Sequence, residues 1–209
     1  MNCRARDTMP SGADGIIPLY QRHAAAWAHD RGTALIERAW LDRMRALIPA
    51  NPEILDLGCG SGDPIARYLI NQGAALTGID TAPAMLALCT EKFSAHHWQL
   101  ADMRGLALRR RFNALLAWDS FFHLPPDDQR AMFPVLRAHA APGAALIFTS
   151  GTHHGVALGS YAGETLYHAS LDPAEYRRRL AEHGFIVIDH KAEDPDCGRR
   201  TVWLAQYTG

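Results

Sequence analysis

The stretch Glu53-Ile54-Leu55-Asp56-Leu57-Gly58-Cys59-Gly60-Ser61-Gly62 decides how this chain is read. Its first five residues read as a strand. The glycines that follow let the backbone turn tightly and approach a ligand with no Cβ in the way. Asp63-Pro64 then reads as a cap followed by proline at the first helical position, opening a helix to about Gln72. Glycine turns are also common for purely structural reasons, so the strand–loop–helix setting is what gives this one weight.

Outward from that unit the pattern alternates. Ala75–Ile79 reads as a strand, and Thr81 as the cap of a helix running to about Lys92. Trp98–Leu100 and Asn113–Trp118 follow as strands, Asp127 to Ala140 as a helix ended by Pro142-Gly143, and Ala144–Thr149 as a strand. Asp172-Pro173 opens a helix that stops at Gly184, and Phe185–Asp189 and Thr201–Tyr207 close the chain as strands. Upstream, Ile17 to Leu47 reads helical with a break at Gly32. Strands separated by helices imply βαβ crossovers, hence an α/β fold with a mostly parallel sheet and helices on both faces. The last two strands lack a helix between them and should pair antiparallel. Ligands in such sheets bind at the carboxyl ends of the strands.

The chain has 209 residues, 21 Lys+Arg against 22 Asp+Glu, and 48% hydrophobic residues. That suits a single globular domain over residues 16–209 with a flexible tail over 1–15. The near-zero net charge offers no global attraction for nucleic acid. No apolar run approaches the ~20 residues that cross a bilayer, and the opening residues lack the apolar core of a secretory signal. Cys3, Cys59, Cys89 and Cys197 are scattered without a C-x-x-C pair, which reads as reduced thiols in a cytoplasmic protein. Either a monomer or a homodimer fits.

The loop spacing is G-x-G-x-G, whereas the dinucleotide fingerprint is G-x-G-x-x-G. Asp56, just ahead of the loop, would repel a diphosphate but could accept hydrogen bonds from an ammonium group. Asp80 ends the next strand, where a carboxylate can take both hydroxyls of a ribose. The inferred ligand has a ribose and a cationic end and no pyrophosphate.

With these residues in place the sequence resembles the class I S-adenosylmethionine-dependent methyltransferases. Ile54–Gly62 is similar to that family's first motif, Leu76-Thr77-Gly78-Ile79-Asp80 to the segment after it, and Leu100-Ala101-Asp102-Met103 to the adenine-binding stretch. Phe112–Leu124 resembles the fourth-strand motif, and Pro142–Thr149 the glycine turn and fifth strand. The resemblance implies a Rossmann-like seven-stranded sheet in the order 3-2-1-4-5-7-6, with S-adenosylmethionine as methyl donor and S-adenosylhomocysteine as product. It also implies that Gly58, Cys59 and Gly60 line the methionine moiety beside Asp56. Asp80 would bind the ribose, with Thr81 and Met85 beside it. Asp102 and Met103 would hold adenine, and Trp118 would pass close to the sulfonium. Residues 16–48 form a helical cap in which Tyr20 and Trp27 cover the donor or serve as core aromatics, and Arg31 meets the donor carboxylate.

Methyl transfer from a sulfonium is an in-line displacement, in which positioning and exclusion of water dominate. The acceptor belongs beyond the ends of the fourth and fifth strands. There His123 is the candidate base or acceptor-positioning group, or a helix-start histidine bonded to backbone, and Asp119 orients it, binds a donor group or caps the local turn. Phe122, His153, His154 and Tyr167 are candidate acceptor contacts. Residues 151–170, without a clear pattern, read as a lid loop or as a short helix or hairpin covering the sheet edge. Adjacent histidines lack the i,i+4 spacing of a metal pair, so no metal is expected. Arg109-Arg110-Arg111 reads as a solvated turn, Arg177-Arg178-Arg179 as an outer helix face, and Arg199-Arg200 has no evident role. No Asp/Asn-Pro-Pro-aromatic motif follows the fourth strand, which argues against amino-methylating enzymes of DNA bases and glutamine. The acceptor is expected to be a small polar or anionic molecule, with no nucleic acid or membrane partner. Alternatives are a methyltransferase acting on protein or RNA, and a non-catalytic S-adenosylmethionine-binding protein.

Overall fold

The computed structural model describes residues 12–209; residues 1–11, most of the expected flexible tail and Cys3 with them, lie outside the described part. The rest of that tail, Gly12–Gly15, is a 3-10 turn that leads into helix α1 (Ile16–Arg31). Gly32 ends α1 with a positive φ of 62°, and α2 (Arg38–Arg45) follows. Then come β1 (Glu53–Leu57), α3 (Ile65–Asn71), β2 (Ala75–Asp80), α4 (Pro83–Lys92), β3 (His97–Leu100) and β4 (Phe112–Ala117). The second half contains α5 (Pro126–His139), β5 (Ala140–Ser150), β6 (Gly155–Tyr161), β7 (Glu164–Ser170), α6 (Pro173–Glu182), β8 (Phe185–Asp194) and β9 (Arg200–Tyr207).

Seven strands form one sheet in the order β3-β2-β1-β4-β5-β9-β8. The first five run parallel, and β9 inserts antiparallel between β5 and β8. With the β6–β7 pair counted apart, this is the expected 3-2-1-4-5-7-6 order. The apolar run of β4 shows why both faces must be covered. Leu115 and Ala117 join the core under α5 and α6 with Phe133, Leu136 and Tyr176. Ala114 and Leu116 join the opposite core with Trp40, Leu41 and Met44 of α2 and Leu69 of α3. Alternating side chains of one strand thus feed two separate cores. Only α1 of the expected helical cap lies over the sheet's ligand end; α2 is a layer of the fold.

Three local expectations are corrected. Asp63 does not cap α3: Pro64 holds the cap position, and Asp63 pairs with Arg67 at 2.6 Å and Lys92 at 2.8 Å. Thr81 does not cap α4 either, because Ala82 is the cap residue and its N–H is taken by Asp80 at 2.8 Å. Residues 151–170 are not an irregular loop. β6 and β7 form an antiparallel hairpin closed at Ala162-Gly163, both with positive φ. The sequence hid it because Val156, Leu158 and Gly159 stay exposed on a two-stranded ribbon, so no buried alternation marks the strand.

The hairpin is fastened to both neighbouring layers. Leu166 and Tyr167 pack on Ile16 and Leu19, while Glu164 accepts hydrogen bonds from Arg22 and from His23 at 2.7 Å. The buried Gln129 of α5 donates to the carbonyls of Leu124 at 2.8 Å and Ala169 at 2.9 Å. Its amide oxygen accepts from the Tyr176 hydroxyl, which in turn accepts from Leu171 N–H at 3.1 Å. Gln129→Ala removes one hydrogen bond each from the Leu124 and Ala169 carbonyls and the Tyr176 hydroxyl, about 1 kcal/mol apiece. We expect a loss of about 2–3 kcal/mol in urea denaturation. A midpoint unchanged from wild type would remove Gln129 as the hairpin's anchor.

Candidate functional site

Two cavities open at the carboxyl ends of the central strands, where crossing connections leave a crevice. The first, about 290 Å³, lies over the β1–α3 turn. That turn is stitched to β2: Gly58 N–H and Cys59 N–H both donate to the Ile79 carbonyl, at 2.8 and 3.0 Å. Gly60 N–H donates to Asp80 Oδ2 at 2.9 Å. The glycines serve different ends. A Cβ on Gly58 would stand 2.5 Å from Ser120 Cβ, so its bareness is demanded by packing. Gly60, with φ 53°, has nothing within 4 Å of its would-be Cβ and presents open backbone to the cavity.

Asp56, Asp80 and Asp102 all line this cavity, with Gly58, Cys59, Gly60, Thr81, Met85, Met103 and Trp118. Asp56 is buried, and burial first, then the neighbouring Asp80 charge, pushes its carboxyl up to about 7. Burial also raises Asp80, against the opposing pull of backbone N–H groups from Ala82, Gly60 and Thr81. Asp102 differs, because Arg104 grips both its oxygens and holds its pKa below the usual carboxylate range. Arg104 is a cavity residue that no sequence feature singled out. Trp118 lines the wall, with its indole N–H buried and unpartnered. A bare backbone bend with two acidic groups that have no cationic partner among the described residues is suited to a cationic ligand with vicinal hydroxyls.

The second cavity, about 640 Å³, lies between α1, the end of β4, the hairpin and the start of β9. Tyr20, Trp27, Arg31, Asp119 and His123 line both cavities and form their common wall. Trp27 stands edge-on to Tyr20 at 5.1 Å, so both act as wall and as packing. Arg31 is fixed by the fully buried Glu37 and by the Ala34 carbonyl at 3.1 Å. The other oxygen of Glu37 is buried without a partner.

His123 and Asp119 are both here, in arrangements the sequence did not foresee. His123 Nδ1 lies 2.8 Å from the Tyr167 carbonyl, and Nε2 lies 2.9 Å from the Tyr20 hydroxyl. Since a carbonyl only accepts, Nδ1 carries the hydrogen and Nε2 accepts from Tyr20. Burial depresses the His123 pKa to about 4, so the ring is neutral. Asp119 does not orient it: Arg200 Nε donates to Oδ1 at 3.0 Å and to Oδ2 at 2.8 Å, and Nη2 donates to Oδ2 at 2.7 Å. The tandem arginine that had no assignable role therefore reaches the site across the fold.

Phe122 and His153 line the second cavity, whereas His154 and Tyr167 are absent from its walls. Tyr167 turns the other way along β7 and packs on Ile16 and Leu19, leaving His168, one residue on, facing the cavity. His154 is exposed beside the hairpin's start. No group of His, Cys, Asp or Glu suited to a metal occurs among the described residues.

Residues 54–143 match the family described as methyltransferase domain. Over that segment the chain is similar to this methyltransferase domain family. Its matched segment runs from β1 to the start of β5 and therefore takes in the glycine turn, Asp80 and Asp102. A malonyl-[acyl-carrier protein] O-methyltransferase of Enterobacter lignolyticus (strain SCF1) is 29% identical over 136 residues, 64% of this chain and 49% of that protein. The chain spans about half the length of the curated relatives it matches. The fold extends further than the sequence likeness. The amino pentose methyltransferase CalS10 from Micromonospora echinaspora superposes with a TM-score of 0.69 at 21% identity, over 90% of this chain and 97% of that one. A Burkholderia thailandensis 1,6-didemethyltoxoflavin-N1-methyltransferase gives 0.70 at 17% identity, over 98% and 94%. The fold shared with these structures thus takes in α1 and the hairpin.

Asp56 offers a direct test of the first cavity's electrostatics. Below about pH 4 its carboxyl is protonated in both folded and unfolded chains. Between that point and about pH 7 the unfolded chain ionises first, so folding loses stability as pH rises. Asp56→Asn removes this loss in the ligand-free protein. The variant's stability relative to wild type should climb by on the order of 3 kcal/mol from pH 4.5 to pH 8 in paired urea denaturations. A difference that stays flat with pH would contradict the buried, unpaired carboxylate.

Proposed function

We propose that the protein transfers a methyl group from S-adenosylmethionine to a small polar acceptor. The observation that carries this reading is the pair of cavities sharing one wall. One is built for a cationic nucleoside and the other, polar-lined, meets it at Tyr20 and His123. Two reactants held on either side of a shared wall approach without the entropic cost of free encounter.

The donor supplies an electrophilic methyl on a sulfonium that becomes a neutral thioether. Around it, the Gly58–Gly60 backbone and Cys59 flank the methionine portion, and Asp56 balances its ammonium group. Arg31, braced by Glu37, faces its carboxylate. Asp80 takes the ribose hydroxyls, with Thr81 and Met85 beside the sugar. Asp102 and Met103 border the adenine, and Trp118 closes the wall near the reacting centre. Tyr20 and Trp27 of α1 exclude water from above. The Tyr20 hydroxyl gives its hydrogen to His123 and so turns oxygen lone pairs toward the cavities. In this arrangement His123 is a positioning residue, and Asp119 with Arg200 forms a neutral polar strip in the acceptor wall.

Arg31, Arg199, Arg200, His153 and His168 on the acceptor side, with Asp30 and Asp119, support a small polar molecule, anionic acceptors included. Two of the similar proteins are named for small polar acceptors, an amino pentose and 1,6-didemethyltoxoflavin, and a third for a malonyl group carried on acyl-carrier protein. We read the protein as cytoplasmic, a monomer or homodimer, acting without nucleic acid or membrane. No helix among the described residues is long and apolar enough to cross a membrane.

Calorimetry with S-adenosylhomocysteine tests the donor side. Wild type should bind it and ignore NAD, and Asp80→Ala should weaken binding by about 10- to 100-fold through loss of charge-assisted hydrogen bonds. Binding of NAD in preference, or full affinity in Asp80→Ala, would overturn the assignment.

A further inference from the structure

The titratable groups of the second cavity are nearly all committed to partners. His123 has both nitrogens engaged, and Tyr20 has given its hydrogen to His123. Asp119 is held on both oxygens by Arg200, and Asp30 accepts from the Tyr161 hydroxyl at 2.9 Å. His153 is exposed, with Nδ1 3.0 Å from the Thr152 hydroxyl.

His168 is the exception. It is half-buried on β7, edge-on to Phe122 at 4.7 Å between ring centroids and 5.1 Å from the ring of His123. Neither of its nitrogens bonds to a described residue, and neither is sealed from the cavity. Because its nitrogens are open to the cavity, they are free to meet a ligand there. An imidazole here also has the lone pair that His123 has surrendered.

We propose that His168 takes the proton of a protic acceptor, an N–H or O–H compound held in the second cavity, which rests on the methyltransferase reading above. As the acceptor heteroatom bonds to the methyl carbon, the methyl–sulfur bond breaks and its electron pair stays on sulfur. The heteroatom's hydrogen passes as a proton to the free nitrogen of His168, which returns it to solvent through the cavity mouth. A carboxylate acceptor would need no such group.

The surroundings keep His168 neutral and ready. Burial lowers its pKa below the ordinary imidazole value, and the Asp119 charge opposes that shift. Arg200 neutralises much of Asp119, and Arg31 and Arg199 add positive charge from the α1 and β9 sides. Asp30 and the neutral rings of His123 and His153 complete the titratable lining, with Tyr20 on the shared wall.

The test compares wild type with His168→Gln. Both should bind S-adenosylhomocysteine within about twofold of each other by calorimetry. Ring-proton NMR, assigned through the variant, should show His168 titrating below the ordinary imidazole value and shifting when phenol or a ring N–H probe is added to the S-adenosylhomocysteine complex. With labelled S-adenosylmethionine, small phenols and N–H heterocycles should be methylated at a rate that rises with pH along one limb matching that titration. His168→Gln should lower kcat about 100-fold, leave KM within a few-fold and abolish the limb. The proposal is overturned if the variant keeps the limb, or if turnover is confined to carboxylates such as trans-aconitate. It is equally overturned if S-adenosylhomocysteine binds but no protic probe is methylated or moves the His168 signal. If neither protein binds S-adenosylhomocysteine, the methyltransferase reading itself fails.

Discussion

The backbone stitching between the β1–α3 turn and the end of β2 is the constraint on which the site depends. Two N–H groups of the turn converge on the Ile79 carbonyl, and a third reaches the Asp80 carboxylate. This holds the glycine bend open against the sheet while bringing Asp56 and Asp80 to the same cavity. Burial, and after it the charge of Asp80, raises the Asp56 carboxyl. A cationic ligand offsets both causes, so the cavity favours cations over neutral molecules.

On the other side of the shared wall the logic is different. Here the charges are already matched within the chain: Asp119 with Arg200, Arg31 with Glu37, Arg199 with Glu193. Apart from Asp30, which accepts from the Tyr161 hydroxyl, what remains is neutral, a set of imidazole, phenol and indole groups in close edge-to-face contact. Such a chamber recognises shape and hydrogen-bonding direction more than net charge. The two halves of the site thus select their occupants by different physics.

Much of this was legible in the sequence because it is local. The mostly parallel sheet follows from the alternation of strands and helices and its order from the family resemblance, and the glycine turn, Asp80 and Asp102 of the first cavity all sit at strand ends between Asp56 and Met103. The acceptor side was less legible because it is assembled from remote segments. Asp119 and Arg200 are 81 positions apart, and nothing in either neighbourhood marks the pairing. His168 was hidden by a ribbon whose outer strand is exposed throughout, so its alternation could not tell which of Tyr167 and His168 faces inward. Thr81 and Asp63 looked like helix caps by residue type, but Asp80 and two cations claimed those roles through contacts formed only in the folded chain.

The β6–β7 ribbon leaves the sheet after β5 and returns before α6, so it interrupts neither the strand order nor the glycine turn. It lies wholly outside the stretch that matches the methyltransferase domain family. None of its residues lines the first cavity, whereas Val156, Ala157, Leu166 and His168 line the second. Rewriting the ribbon would therefore reshape the walls of one chamber and leave the lining of the other as it is.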